Sequence, residues 1–172
     1  MKHTHARNSG IIFLEKSKTM TARINNIDEE AHFWLEQAIA YYETSKILLD
    51  SANEYKIFPI ITLQAFSVEC SLKYFLLCSV GKNKWGHNLY ELFSKLPENI
   101  KDDICKKFKH LYDDADFNQY IIEISNDFID SRYYFDGLRK SYFGRGFSNG
   151  YLNAIAGFLI EYGENNESFL KS

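Results

Sequence analysis

Proline and cysteine are both scarce in this 172-residue chain, which contains 2 prolines and 3 cysteines. Few prolines and widely spaced turn signals favour long helices. The cysteines, Cys70, Cys78 and Cys105, form no C-x-x-C pair. An odd count without paired spacing indicates no disulfide framework and predicts a cytoplasmic location in which thiols stay reduced. We expect Cys70 and Cys78 to pack in a helix core as small apolar side chains.

Long apolar runs and a strong net charge are also absent. No continuous apolar run reaches the roughly 18 to 20 residues that cross a bilayer, and the "GIIFLEK" segment is too short for the core of a secretory signal. We therefore expect no membrane association. The net charge of −3 argues against strong non-specific binding to a phosphate backbone, although a local basic patch is compatible with it.

The periodicity of apolar residues divides the chain into a bundle and two extensions. Residues 1 to 28 show no sustained periodicity, and we expect a loosely ordered N-terminal extension there. Met20 is an alternative start, because the helical pattern begins only after "TARINNID". His3 and His5 lie in this extension without a third ligand placed beside them, so we predict no metal site. We expect the bundle to span residues 29 to 165 and a C-terminal tail to span residues 166 to 172.

Helical spacing recurs throughout the bundle segment, and convincing period-two alternation does not. Asp28 is a candidate N-cap of the first helix, Pro59 suits the first turn of the second, and Asp116 is a candidate cap farther along. The second helix, which runs to about Val80, is apolar nearly all round and should lie at the centre. The predicted fold is all-α, an antiparallel helical bundle of four to five main helices plus short helices.

Two charges interrupt the apolar central helix, because Glu69 and Lys73 lie one turn apart in "FSVECSLKYFLL". Charged side chains in a buried helix are costly unless they are paired. These two can meet each other at this spacing. Arg132, on the apolar side of a late helix, also needs an acceptor, and His87 opens the helix "NLYELF". We therefore predict one polar cluster of Glu69, Lys73, His87 and Arg132, with Tyr133 nearby.

Three segments together resemble the HEPN superfamily of small helical-bundle proteins: "FPIITLQAFSVECSLKYFLL", "GHNLYELFSKLP" and "FIDSRYYFD". More narrowly, they resemble members with an E-x-x-L-K motif, then G-H-(D/N)-L, then R-Y-x-(Y/F)-(D/E). The resemblance covers about residues 30 to 162. The matching residues are Glu69, Leu72 and Lys73; Gly86, His87, Asn88 and Leu89; and Arg132, Tyr133, Phe135 and Asp136.

The resemblance implies work on RNA or nucleotides, often in toxin–antitoxin or phage-defence systems, and a homodimer. Many members are metal-independent ribonucleases with an R-x(4–6)-H signature on a late helix. Here no histidine follows His110, so Arg132, Arg139 and Arg145 have no downstream partner. We therefore expect a non-catalytic HEPN-like module, without a cofactor, that binds a nucleotide, an RNA or a protein partner.

Two other functions stay open. A divergent metal-independent ribonuclease would use Glu69, His87 and Arg132, whereas a purely structural interaction domain would use the polar cluster only to fix the bundle. An internal salt-bridge network is our preferred interpretation of the charged residues, with packing or capping at a helix start for His87 and Asn88. The candidate ligand-binding or network residues are Glu69, Lys73, His87, Asn88, Arg132, Tyr133 and Asp136.

Three further segments bear on partners. A cluster of late aromatic residues favours a homodimer, because one chain cannot easily bury them all. The "GRGFSNG" loop could cradle a phosphate before a helix, but it lacks a preceding strand and a Lys-Ser/Thr pair. The segment "KDDICKKFKH" is best explained as a solvated helix face with a basic edge that could contact RNA. The late aromatics are Tyr133, Tyr134, Tyr142, Phe143 and Phe147, and the basic edge is Lys106, Lys107, Lys109 and His110.

Overall fold

The structure, a computed structural model, describes residues 27–50, 56–82, 86–113, 115–132 and 149–171, without the side chains of residues 126–132, 149 and 169. These ranges contain helices and no strand, which confirms the predicted all-α fold. The helices are α1 (Ile27–Asp50), α2 (Ile57–Val80), α3 (Leu89–Ser94), α4 (Glu98–Leu111), α5 (Phe117–Arg132), α6 (Asn149–Asn165) and α7 (Glu167–Leu170).

The four long helices α1, α2, α5 and α6 run alternately up and down. Residues farther along α1 contact residues progressively earlier in α2, and the same reversal holds between α5 and α6. Helix α1 is therefore antiparallel to α2, and α5 is antiparallel to α6. The pairs between α2 and α6 keep the same order, so these two helices are parallel. The pairs are Trp34–Lys73 and Tyr41–Phe66, then Phe117–Phe158 and Tyr120–Tyr151, then Gln64–Asn153 and Phe75–Tyr162.

Helix α2 lies at the centre of the bundle, as its all-round apolar sequence predicts. Sixteen of its 24 residues are buried, and it packs against α1, α3, α5, α6 and α7. By length and composition alone α2 could also cross a membrane, with a mean hydropathy of 1.3 over its most apolar window, contrary to our expectation that no segment would qualify. However, 83% of that window is buried inside the bundle, so core packing accounts for its hydropathy. The absence of membrane association stays a prediction.

A glycine lets α6 approach α1 and α2 closely, and an aromatic cluster joins α4 to α5 and α6. A Cβ atom at Gly163 of α6 would lie 3.1 to 3.3 Å from the side chains of Tyr74, Phe75 and Leu35, so the absent side chain permits close approach of the helices. Phe108 of α4 is fully buried and contacts aromatic rings from its own helix region, from α5 and from α6. These rings belong to Tyr112, Phe117, Tyr120 and Phe158.

The ends of the helices differ from the predicted boundaries in two places. Helix α1 begins at Ile27, so Asp28 lies within its first turn rather than before it. The predicted cap at Asp116 is confirmed, because its carboxylate accepts from the backbone N–H of Asn118 at 2.9 Å. The segment expected to be a C-terminal tail contains α7, in which Leu170 is buried. Of the extension expected over residues 1 to 28, residues 1 to 26 lie outside the described residues, and Ile27 and Asp28 belong to α1.

Candidate functional site

The two charges in the central helix α2 form a buried ion pair. Lys73 Nζ lies 2.7 Å from Glu69 Oε1, and the two side chains are 7% and 4% exposed. Their i, i+4 spacing places them on the same side of α2. The Lys73 ammonium also lies 4.7 Å from the ring centroid of Trp34 on α1, which adds a favourable cation–π contact. The pair is therefore held between the two helices of the first hairpin.

His87 joins this pair from the segment that precedes α3. Its Nδ1 lies 3.0 Å from Glu69 Oε1 and 3.1 Å from Glu69 Oε2. Unlike the two α2 side chains, the His87 side chain is 55% exposed. The cluster thus extends from the bundle interior to the surface, and His87 is its exposed member.

The four residues Gly86 to Leu89 each have a structural reason for their position. Gly86 adopts a φ of 140°, a conformation that side chains other than glycine rarely adopt, and it directs the chain toward Glu69. Asn88 is the N-cap of α3, and its side chain accepts from the backbone N–H of Glu91 at 2.9 Å. Leu89 is fully buried. In the G-H-N-L segment, Gly86 therefore forms the turn, His87 contacts Glu69, Asn88 caps α3 and Leu89 packs in the core.

Burial and the Glu69 charge keep the neighbouring acidic groups neutral. The Cys70 thiol is buried beside Glu69, and burial first and the Glu69 charge second raise its pKa to about 12. The pKa of Tyr41 is raised chiefly by burial, with smaller contributions from Cys70 and Glu69. Cys70 is thus a buried, neutral packing residue, as predicted.

Two residues that support the cluster were missed by the sequence analysis. Trp34 was assigned to the apolar stripe of α1, and no spacing rule pairs it with Lys73. Ser125 of α5 accepts from the backbone N–H of Tyr90 at 2.7 Å and donates to the backbone C=O of Ile121 at 2.6 Å. Ser125 thereby ties the start of α3 to α5 and helps to fix the segment that carries His87. A serine on the apolar side of α5, where a polar side chain needs a hydrogen-bond partner, is the sequence signal that could have indicated this role.

A second surface feature is a groove between the C-terminal halves of α4 and α6. Its volume is about 390 Å³, and the predicted basic edge contributes to one side. Lys107 binds Asp103 at 2.7 Å and Asn166 at 2.8 Å, and Tyr162 also donates to Asp103 at 2.9 Å. These four side chains bond to one another and so join the C-terminal parts of α4 and α6. The groove is lined by Lys107, His110, Leu111, Phe158, Glu161, Tyr162, Asn165 and Asn166.

Comparison with known proteins agrees with this helical architecture. A family model described as HEPN domain matches residues 31–140, which is 110 of the 172 residues. The chain belongs to the HEPN domain family. Neither the curated proteins nor the solved structures contain a significant match to this HEPN chain.

The remaining predicted site residues of this HEPN chain lie outside what the structure describes. Arg132 ends α5, but its side chain is among those not described, so its contact with Glu69 stays a prediction. Tyr133, Phe135 and Asp136 also lie outside the described residues, as do the first five residues of the "GRGFSNG" loop. Within the described ranges, no group of three His, Cys, Asp or Glu side chains is arranged to hold a metal ion.

The contacts of Glu69, Lys73 and His87 limit the chemistry that this cluster can perform. Glu69 is an acceptor engaged by Lys73 and His87, and a carboxylate buried in this way cannot approach a substrate without leaving both partners. His87 is exposed and can contact a ligand as a hydrogen-bond donor or acceptor. The arrangement suits a fixed surface contact, since the two buried charges hold the exposed His87 imidazole in place.

Proposed function

We propose that this chain is a non-catalytic HEPN module that binds RNA or a nucleotide on the surface where His87 is exposed. The observation that carries the proposal is the imidazole itself, which is 55% exposed while its Nδ1 is held by a buried carboxylate. A polar side chain fixed in this way loses little conformational freedom when it contacts a ligand. The family match and the RNA-related or nucleotide-related work that the HEPN resemblance implies support this class of ligand.

The sequence supports binding without cleavage. The HEPN ribonuclease signature requires a histidine a few residues after an arginine on a late helix, and no histidine follows His110 in this sequence. General acid–base catalysis needs a titratable group within hydrogen-bond reach of the reacting oxygens. Without the usual histidine, the proposed module retains the bundle and the polar cluster but loses the usual proton-transfer group.

A binding measurement tests this proposal. We expect a fluorescently labelled single-stranded RNA to bind the full chain at low salt, and His87→Ala to weaken the binding by roughly 10-fold or more, since a hydrogen bond to a charged group contributes about 1.5 to 3 kcal/mol. His32→Ala is the matched control, because His32 is an exposed histidine beside Glu36 on α1. Equal affinities of the parent and His87→Ala, or no binding by the parent, would contradict the proposal.

One observation favours a second candidate, the divergent ribonuclease. A carboxylate that holds Nδ1 of an exposed imidazole is also the arrangement that orients a histidine for proton transfer. His87 is bonded to Glu69 and yet exposed, which meets the first geometric requirement of that mechanism. Cleavage would further require a phosphate-binding group such as Arg132 on the same surface. Incubation of the purified chain with labelled RNA in the presence of a metal chelator separates the two candidates.

The biological setting is part of the same proposal. A homodimer, a partner protein encoded nearby and a role in a toxin–antitoxin or phage-defence system are supported by the HEPN resemblance, and the odd number of cysteines without paired spacing supports a cytoplasmic location. The aromatic residues on which the homodimer prediction depends, from Tyr133 to Phe147, lie outside the described residues. Each of these statements stays a prediction.

A further inference from the structure

We propose that the groove between the C-terminal halves of α4 and α6 is the binding site of an apolar segment of the same chain, the "IIFL" of residues 11–14. These four residues form the one run of consecutive apolar side chains in the first 26 residues, and they lie outside the described part of the chain. The inference goes beyond the proposed binding of RNA or a nucleotide and involves neither His87 nor its partners.

The groove combines two aromatic rings with an exposed aliphatic side chain. Phe158 and Tyr162 of α6 line it and are 6% and 3% exposed, whereas Leu111 at the end of α4 is 56% exposed. Lys107 and Asn166 also line it, and they already bond to each other at 2.8 Å. An apolar occupant would therefore cover Leu111 without breaking this polar contact. The groove volume of about 390 Å³ is in the size range of natural ligand sites.

The first described residues of the chain lie close to this groove. Lys171 Nζ is 3.1 Å from Asp28 Oδ1, which places the first turn of α1 beside α7. Helix α7 starts at Glu167, the residue directly after Asn166 of the groove. Residues 15–26 connect the apolar segment to α1, and this length of chain spans about 40 Å when fully extended, or roughly 20 Å on average when flexible. The segment can therefore reach the groove from the start of α1.

The charges of the extension and of the bundle are complementary. The first 26 residues contain five Lys and Arg residues and one Glu, which leaves 15 Lys and Arg against 22 Asp and Glu in the rest of the chain. Lys16 follows the apolar segment closely, exposed Glu161 lines the groove, and exposed Glu164 lies one turn farther along α6. Because the basic edge of α4 borders the other side, we expect the basic flank of the segment to lie toward α6.

The segment of the same chain is favoured over a second copy of the protein. Attachment through residues 15–26 gives the segment an effective concentration of order 1 mM near the groove. A second copy at micromolar concentration therefore competes poorly for the same site. Burial of Ile, Leu and Phe side chains is favourable, and the four apolar residues have no apolar neighbours in the extension with which to bury them. We therefore assign the groove to residues 11–14 of its own chain.

Photo-crosslinking of the full chain tests this assignment. The photoreactive amino acid p-benzoylphenylalanine is placed at His110, an exposed residue of the groove, and in a second sample at Lys46 on the exposed face of α1. Lys46 is the matched control, because it lies near the end of α1 that is farther from the groove. After digestion with trypsin, mass spectrometry identifies the attached peptide. We expect the groove position to attach the peptide of residues 8–16, and the control position to attach little of it.

Two variants and an isotope mixture complete the experiment. Phe13→Asp should reduce the crosslink to the groove about 10-fold or more, because burial of the aromatic side chain is lost. Thr19→Asp adds the same charge outside the apolar segment and should retain the crosslink. A mixture of ¹⁴N-labelled and ¹⁵N-labelled chains shows whether the linked peptides come from one molecule. A crosslink between differently labelled chains, no crosslink to residues 8–16, equal yields at the groove and control positions, or an undiminished yield in Phe13→Asp would overturn the inference.

Discussion

Replacement of Glu69 by alanine should lower the free energy of unfolding by about 3 to 5 kcal/mol. The substitution removes the acceptor of both Lys73 and His87, and Lys73 is left as a buried charge whose side chain is 7% exposed. Removal of one partner from a buried pair is costly mainly because the other charge stays buried and unpaired. Urea-induced unfolding followed by circular dichroism measures the change.

Two further variants test whether the loss of stability comes from a buried charge left unpaired or from the loss of any salt bridge. Glu43→Ala removes the partner of Lys46, but that pair is about half exposed, so we expect almost no change in the free energy of unfolding. Glu69→Met combined with Lys73→Met replaces both charges by apolar side chains of similar length and should be less destabilising than Glu69→Ala. A Glu69→Ala protein that unfolds at the same urea concentration as the parent would show that the cluster does not stabilise the bundle.

Phe108→Ala should destabilise the bundle by a comparable 3 to 5 kcal/mol, or roughly 6 to 20 °C in melting temperature. Phe108 is fully buried and contacts four aromatic rings, which join α4 to α5 and α6. Truncation would leave a cavity that the surrounding rings cannot easily fill. Differential scanning calorimetry measures the expected shift.

Leu111→Ala is the matched control for Phe108→Ala. Leu111 lies less than one turn farther along the same helix, but it is 56% exposed. We expect its substitution to change the melting temperature by no more than about 2 °C, because surface substitutions usually remain within about 0.5 kcal/mol. Equal effects of the two substitutions would contradict the placement of α4 in the bundle.

Most of the fold follows from local physical rules. The three- and four-residue spacing of apolar side chains predicts each long helix, and the all-round apolar sequence of α2 predicts its central position. The boundaries are less well determined, because Asp28 suits both an N-cap and a first turn. Helix α7 was missed since a four-residue helix has too few positions to show periodicity, and the burial of Leu170 depends on tertiary packing.

The candidate site was also predictable in part from local physical rules. The i, i+4 spacing of Glu69 and Lys73 predicts their contact, and the high cost of buried charge predicts that another polar group joins them. His87 was correctly placed beside Glu69, but its exposure depends on where the bundle surface lies, which no local pattern specifies. Trp34 was assigned to the core because an aromatic residue on an apolar stripe gives no sign of the ammonium above it.

The most direct test of the central claim, that Glu69, Lys73 and His87 organise a binding module rather than a ribonuclease, is incubation of the purified chain with labelled RNA in the presence of a metal chelator. The parent, His87→Ala and Arg132→Ala proteins are compared by gel electrophoresis of the RNA over time. We predict intact RNA with all three proteins, although the parent binds it. Sustained cleavage by the parent that disappears in both His87→Ala and Arg132→Ala would contradict the account and establish the divergent ribonuclease.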